Sequence, residues 1–129
     1  MQTDTQDAAE MLRTIADDRW KTRFKMETDI TISSPTCGLL KGRTVDISEA
    51  GIAAMLTIEV SAGEIVELSF MLPDGPVTVC ATVRHKNAFR YGFEFVVPNK
   101  VSETIRRTCR DLAVDQTLFA GLKIGRAHV

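Results

Sequence analysis

Cysteine and histidine are scarce in this sequence, with three cysteines and two histidines among 129 residues. The cysteines, Cys37, Cys80 and Cys109, are odd in number and far apart, and no CxxC pair occurs. This spacing argues against a disulfide framework and a zinc site, so we expect three reduced, structural thiols and no metal. Acid pairs and nucleophile–base pairs at active-site spacing are also missing, and we therefore do not expect an enzyme.

Long apolar runs and an excess of one charge are missing as well. No stretch approaches the roughly 20 apolar residues that cross a bilayer, and the first ten residues, MQTDTQDAAE, are polar and acidic, unlike a secretory signal. The formal net charge is only -1, which disfavours a nucleic-acid binder that depends on an overall positive field. The sequence thus predicts a cytoplasmic protein with no membrane insertion and no nucleic-acid partner.

The composition that remains is typical of a single folded domain. Hydrophobic residues make up 44% of the chain and charged residues 26%, enough for one core. Near the start, Asp7 and Glu10 form a candidate N-capping pair. Apolar residues follow at helical spacing, which predicts a short helix over residues 7–17. We assign residues 1–18 to an N-terminal arm that carries this helix.

Alternation of apolar and polar residues dominates the middle of the chain and predicts strands. The first is one extended run from Arg19 to Ser33. Further strands are predicted, between turn segments, at residues 39–47, 51–59, 66–72, 77–83 and 89–97. Connections this short require antiparallel neighbours, and closing the sheet hides its edges. The predicted fold is all-β with flanking helices: a small six-stranded antiparallel barrel.

The last predicted strand is the most aromatic part of the chain. Its alternation places four aromatic residues on the buried side: Phe89, Tyr91, Phe93 and Phe95. After it, Asn99 is a candidate N-cap for a final helix. That helix has two faces, an apolar one with Val101, Ile105, Cys109 and Leu112 and an outward one with Arg106, Arg107 and Arg110. We expect it to plug or flank the barrel, within a domain over residues 19–115.

The C-terminal segment has two interpretations. Residues 124–129, IGRAHV, resemble the translation of a sequencing-adapter read-through, so we leave them out of the fold prediction. If so, the natural chain is cut at this point, and the alternative is a genuine flexible tail. In both cases residues 116–129 are predicted to be a tail outside the barrel domain.

Two short motifs stand out against this pattern. The first is R-x-x-x-R, formed by Arg19 and Arg23 at the start of the first strand. The second is D-x-S-x-x-G, formed by Asp46, Ser48 and Gly51 at a predicted bend between two strands. In extended backbone the two arginines point the same way, with alpha carbons about 13 Å apart. Their long side chains are therefore able to converge on one ligand.

These motifs, their order and their spacing on an all-β pattern resemble the PilZ domain family of bacterial cyclic di-GMP receptors. The resemblance covers roughly residues 17–112. It implies a six-stranded barrel that holds cyclic di-GMP between an N-terminal loop bearing the arginines and a barrel surface bearing D-x-S-x-x-G. On this basis we expect a receptor without a cofactor. We expect ligand binding to order the N-terminal arm and thereby to be signalled to an unidentified effector protein.

The chemistry of each motif residue fits this ligand, a dianion with two phosphates and two guanines. Arginine makes bidentate contacts to phosphate or to guanine O6 and N7 and also stacks on bases, so we assign Arg19 and Arg23 to phosphate and base contacts. Asp46 and Ser48 are assigned to the guanine edge, because a carboxylate accepts from N1–H and the exocyclic amine together. Gly51 permits the bend and a close approach of backbone.

Alternatives stay open at this stage for the residues and for the function. Arg19 and Arg23 could be surface charges paired with acids, and Asp46 and Ser48 could serve only to build a turn. A ligand-independent adaptor with the same fold is the main alternative function. Single-stranded nucleic-acid binding is another, and it requires exposed aromatics in a basic groove. Asp18 stands where some family members carry a basic residue, which leaves the ligand stoichiometry open.

Overall fold

The computed structural model describes residues 22–127, and for residues 117–127 the backbone alone. Arg19 and the helix predicted over residues 7–17 lie outside the described residues. Within the described range the chain forms seven strands and one helix. In chain order they are β1 (Phe24–Lys25), β2 (Asp29–Ser34), β3 (Gly38–Ile47), β4 (Gly51–Leu56), β5 (Ile65–Leu72), β6 (Gly75–Asn87), β7 (Arg90–Phe95) and α1 (Ser102–Ala127).

Six of these strands close into an antiparallel barrel. The hydrogen-bonded order is β3, β2, β5, β6, β7 and β4, and β4 also pairs with β3 to complete the ring. Closure pairs the backbone groups of strands that would otherwise be edges. The predicted six-stranded barrel is confirmed. The short β1 lies outside the ring and pairs with the end of β3 at Ile47 and Asp46.

The barrel interior holds the apolar side of each strand. Alternate residues of β5 and β6 are at most 6% exposed, as predicted: Val66, Leu68, Phe70, Leu72, Val77, Val79, Ala81 and Val83. Tyr91 on β7 is also buried, and its hydroxyl accepts a hydrogen bond from the Val60 N–H at 3.1 Å. The polar end of this ring is therefore satisfied inside the core.

The extended run predicted from Arg19 to Ser33 is divided, because residues 26–28 separate β1 from β2. The Thr44 side chain takes over part of the hydrogen bonding there. Its hydroxyl accepts from the Thr28 N–H at 2.9 Å and donates to the Met26 carbonyl. Thr44 is only 1% exposed, so this side chain replaces a regular ladder contact. The alternation of residues 19–33 could not predict this break, because the hydrogen-bonding partner, Thr44, belongs to β3.

The most aromatic strand is shorter than predicted, since β7 ends at Phe95 and begins at Arg90. Its three aromatic residues are at most 4% exposed, but Phe89 is 61% exposed. Because Phe89 lies in the turn that joins β6 to β7, its side chain leaves the barrel wall and faces solvent. The prediction that Phe89 is buried is therefore wrong. Strand β4 is likewise shorter than predicted and ends at Leu56 instead of residue 59.

Helix α1 follows an N-terminal cap at Asn99, as predicted. The Asn99 side-chain oxygen accepts from the Val101 N–H and the Ser102 hydroxyl, each at 3.0 Å. Ile105 and Cys109 are 1% and 3% exposed, so one face of the helix packs on the barrel core. The helix continues to Ala127, into the segment predicted as a tail. In residues 22–127 no helix combines the length and apolar composition of a bilayer-spanning segment.

Candidate functional site

The D-x-S-x-x-G motif forms the corner between β3 and β4. Asp46 is the penultimate residue of β3, and Gly51 opens β4. The Ser48 hydroxyl accepts from the N–H groups of Ala50 and Gly51 at 3.2 and 3.1 Å, and it donates to the Gly51 carbonyl at 3.3 Å. Ser48 is also only 2% exposed. Its hydrogen-bonding capacity is thus used inside the corner, as in other serine turns.

Gly51 is required by a close contact with the neighbouring strand. A β-carbon built on Gly51 would lie 2.1 Å from the carbonyl oxygen of Phe93 on β7. The two strands approach this closely where Gly51 pairs with Glu94 in the ladder. Only glycine fits at this position without a backbone shift, which agrees with the close backbone approach expected from the motif.

Asp46 binds two arginines, one on each carboxylate oxygen. Arg23 Nη1 donates to Oδ1 at 2.8 Å, and Arg90 Nη2 donates to Oδ2, also at 2.8 Å. The side chain of Asp46 is 13% exposed, whereas those of Arg23 and Arg90 are 45% and 50% exposed. A largely enclosed carboxylate is therefore neutralised by two guanidinium groups that stay in contact with solvent.

Tertiary structure brings these three residues together. Arg23 directly precedes β1, which pairs with β3 at Asp46. The structure therefore places one residue of each predicted motif in contact with the other, while Arg19 lies outside the described residues. Arg90 opens β7, which is separated from β3 by β4. Sequence analysis missed Arg90, because it belongs to neither motif and lies 44 residues from Asp46.

Two small residues, Ala53 and Gly92, lie beside Asp46 on the outer wall of the barrel, and we call them the floor. Four residues lie in register across neighbouring strands here: Asp46 on β3, Ala53 on β4, Gly92 on β7 and His85 on β6. Ala53 and Gly92 have the smallest side chains of the four, but Ala53 is only 3% exposed and His85 Cδ2 lies 3.3 Å from the position of a β-carbon on Gly92, so neighbouring side chains cover this part of the wall. Two adjoining cavities of about 370 and 450 Å³ lie over this floor, and Arg23 and His85 line both.

Cationic side chains line both cavities, and Glu94 also lines the cavity of about 370 Å³. Arg90 and Lys86 line the cavity of about 450 Å³ together with Arg23. Lys86 also donates a hydrogen bond to Glu59, which raises the pKa of Lys86 and lowers the pKa of Glu59. This part of the wall therefore combines a carboxylate acceptor with guanidinium and ammonium donors. Such a set is suited to an anionic ligand that also carries polar N–H groups.

A third cavity, of about 690 Å³, lies between β1 and α1. Glu49 and Arg106 line it and form an ion pair at 3.3 Å. Burial, with a smaller effect of the nearby Glu49 charge, raises the pKa of the Cys109 thiol to about 12. Such a thiol is unreactive at neutral pH, so Cys109 is a structural residue. Cys37 and Cys80 are exposed, and the Cys37 thiol donates a hydrogen bond to the Glu59 carbonyl oxygen at 3.4 Å.

Comparison with known proteins identifies the family. The profile of the PilZ domain matches residues 17–111, which include both motifs. This chain belongs to the PilZ domain family. A search of curated proteins finds no match.

Several solved structures share the fold at low sequence identity. The PilZ domain of CeSA from a cellulose-synthesizing bacterium is 16% identical, with a TM-score of 0.57, and the match covers 74% of this chain and 99% of that one. The YcgR PilZ domain from Escherichia coli, determined with cyclic di-GMP, is 16% identical, with a TM-score of 0.62 and coverages of 78% and 95%. The Bacillus subtilis inhibitor of motility, MotI/DgrA, is 19% identical, with a TM-score of 0.62 and coverages of 72% and 50%. At such identities the similarity establishes the fold.

Proposed function

We propose that this PilZ protein is a receptor for cyclic di-GMP and binds it on the barrel wall around Asp46. The observation that carries the proposal is the contact between the two motifs, in which Arg23 Nη1 lies 2.8 Å from Asp46 Oδ1. Family membership supports it, as does the shared fold with the YcgR PilZ domain, whose structure was determined with cyclic di-GMP.

Ligand binding on this surface is an exchange of partners. Both oxygens of Asp46 accept from arginines in this structure. In the complex, Arg23 turns toward a phosphate together with Arg19, and a guanine edge takes the vacated carboxylate oxygen. Arg23 is 45% exposed and is able to turn outward, and the guanine donors replace it so that the enclosed carboxylate of Asp46 is not left without a partner. The second guanine occupies the adjoining cavities that Arg23 and His85 line.

Ser48 and Gly51 serve the site differently from the arginines. The Ser48 hydroxyl is engaged with the backbone of the corner, so we assign it to holding Asp46 in position. A direct contact between Ser48 and the guanine edge stays a prediction. Gly51 keeps β4 and β7 close together, and with them the floor of the site.

The output of binding is a change at the N-terminal arm. Arg23 directly precedes β1, so a ligand that bridges Arg19, Arg23 and the barrel fixes the junction between arm and barrel. The arm is then presented differently to an effector protein. In this proposal the protein has no catalytic role and needs no cofactor. A ligand-independent adaptor is the competing function, and it does not require the contact between Arg23 and Asp46.

Equilibrium dialysis with labelled cyclic di-GMP tests the site. We expect Arg23→Ala and Asp46→Ala each to weaken binding by about tenfold or more, equivalent to about 1.4 kcal/mol. Each variant removes one half of the pair that joins the two motifs. Arg43→Ala is the matched control. Arg43 lies on β3, the strand of Asp46, its side chain is 58% exposed, and its guanidinium group pairs with the Asp29 carboxylate at 3.0 Å.

Three results decide between the functions. Weaker binding in both site variants but not in Arg43→Ala supports the site. Unchanged binding in both site variants contradicts the site assignment. Wild-type protein that binds no cyclic di-GMP contradicts the receptor function, and partner proteins captured equally with and without the nucleotide then favour the adaptor.

A further inference from the structure

We propose that Arg90 is a positioning residue for Asp46 and thereby sets the preference of this site for guanine. The inference rests on the proposed function and concerns a residue outside both motifs. Arg90 and Arg23 make the same kind of contact with Asp46, each with one nitrogen at 2.8 Å from one oxygen. Their roles differ because the fold supports their backbones differently.

Arg90 is fixed on both sides by the barrel, whereas Arg23 is not. The Arg90 backbone pairs with Met55 on β4 and with Asn87 on β6. Arg23 precedes a strand of two residues whose only ladder partner is β3 among the described residues. A residue held by two neighbouring strands is harder to displace than one at the start of a short outer strand. When a phosphate competes for the guanidinium groups, Arg23 therefore exchanges and Arg90 stays on Asp46.

An arginine that stays on Oδ2 orients the carboxylate for guanine. Guanine presents N1–H and the exocyclic amine side by side, and each oxygen of an ionised carboxylate has about two lone-pair sites, so Oδ1 alone is able to accept from both donors. With Oδ2 held by Arg90, the Asp46 plane is fixed and Oδ1 is directed at the base. Adenine lacks this pair of donors at the corresponding edge. Arg90 thus contributes to base selectivity through Asp46, without itself touching the base.

A direct phosphate contact is the competing role for Arg90, because Arg90 lines the cavity of about 450 Å³. The two roles predict different selectivity. Cyclic di-GMP and cyclic di-AMP share the same phosphodiester ring, so loss of a phosphate contact weakens both ligands alike. Loss of carboxylate positioning weakens only cyclic di-GMP.

Calorimetric titration of the full chain with both nucleotides separates these roles. We expect Arg90→Ala to weaken cyclic di-GMP binding by about tenfold, within the range of coupling between contacting residues, and to leave cyclic di-AMP binding unchanged. If wild-type protein gives no heat with cyclic di-AMP, the double-mutant cycle below decides between the two roles. Arg90→Lys should recover part of the loss, because lysine keeps the charge but not the planar fork. It also serves as the second variant if Arg90→Ala does not fold, as judged by circular dichroism. Arg43→Ala again controls for removal of a surface arginine.

A double-mutant cycle provides the second measurement. In an Asp46→Ala background, Arg90→Ala should cause no further loss of cyclic di-GMP binding, because the residue that it positions is already gone. Equal losses for both nucleotides, an additive double variant, or unchanged cyclic di-GMP binding in Arg90→Ala each overturn the inference alone. Wild-type protein that binds no cyclic di-GMP overturns the proposed function and this inference with it.

Discussion

Each end of strand β3 lies beside a carboxylate that is held by side chains from distant parts of the chain. Before the start of β3, Glu64 accepts hydrogen bonds from the hydroxyls of Ser34 and Thr36. At its end, Asp46 accepts from Arg23 and Arg90. We term these groups the Glu64 corner and the Asp46 corner. One carboxylate is satisfied by neutral donors and the other by cations.

The charge of the donors decides which partners are able to exchange. In the Glu64 corner the hydrogen bond from Ser34 is the main cause that lowers the pKa of Glu64, with burial acting in the opposite direction and Thr36 adding to the decrease. These hydroxyls have no attraction for an anion in solution beyond ordinary hydrogen bonding. In the Asp46 corner the half-exposed guanidinium groups are preferred partners of phosphate. The Glu64 corner therefore ties the β2–β3 turn to the start of β5, while the Asp46 corner suits reversible binding.

Glycine substitutions should give the largest difference in unfolding free energy between the two corners. Gly51→Ala places a methyl group 2.1 Å from the Phe93 carbonyl oxygen, and we expect it to lower the free energy of unfolding by about 3 kcal/mol. Gly38→Ala meets nothing within 4 Å and only has to adopt a φ of 78°, which should cost about 1 kcal/mol. Urea denaturation measures both. Equal losses contradict the steric explanation for Gly51.

Removing the charge of Glu64 should have a smaller effect, and on stability alone. Glu64→Gln keeps the shape of the side chain but leaves one acceptor oxygen for the Ser34 and Thr36 hydroxyls, so the midpoint of thermal unfolding should fall. Cyclic di-GMP binding should not change, because the Glu64 corner and Asp46 lie at opposite ends of β3. Glu67→Gln on the exposed face of β5 is the matched control. Weaker nucleotide binding in Glu64→Gln contradicts the separation of the two corners.

The pH dependence of stability gives the weakest signal. Because its partners lower the pKa of Glu64 in the folded protein, the ionised carboxylate stabilises the fold above the ordinary value of 4.5. This stabilisation is lost as the pH falls through the folded-state pKa. The difference in unfolding free energy between wild type and Glu64→Gln should therefore shrink as the pH falls from about 7 to about 3. A difference that is constant over this range argues against a folded-state interaction of the carboxylate.

Most of the barrel can be predicted from the chain, because strand periodicity and capping are local properties. The buried residues of β5 and β6 recur with a period of two, and the Asn99 cap involves residues two and three positions away. Predictions fail where another element intervenes. The Thr44 side chain divides the first extended run. Phe89 follows the alternation of the buried residues of β7, but it lies in the turn between β6 and β7 and is exposed.

The candidate site divides in the same way. Asp46, Ser48 and Gly51 can be recognised from their spacing, because a single corner places all three within six consecutive residues. Arg90 cannot be recognised in this way. Its contact with Asp46 depends on the order β3, β4, β7, which exists because the ring closes between strands far apart in the chain. The spacing of residues in the sequence shows which residues form a corner. Only closure of the barrel determines that Arg90, a residue distant in the chain, contacts it.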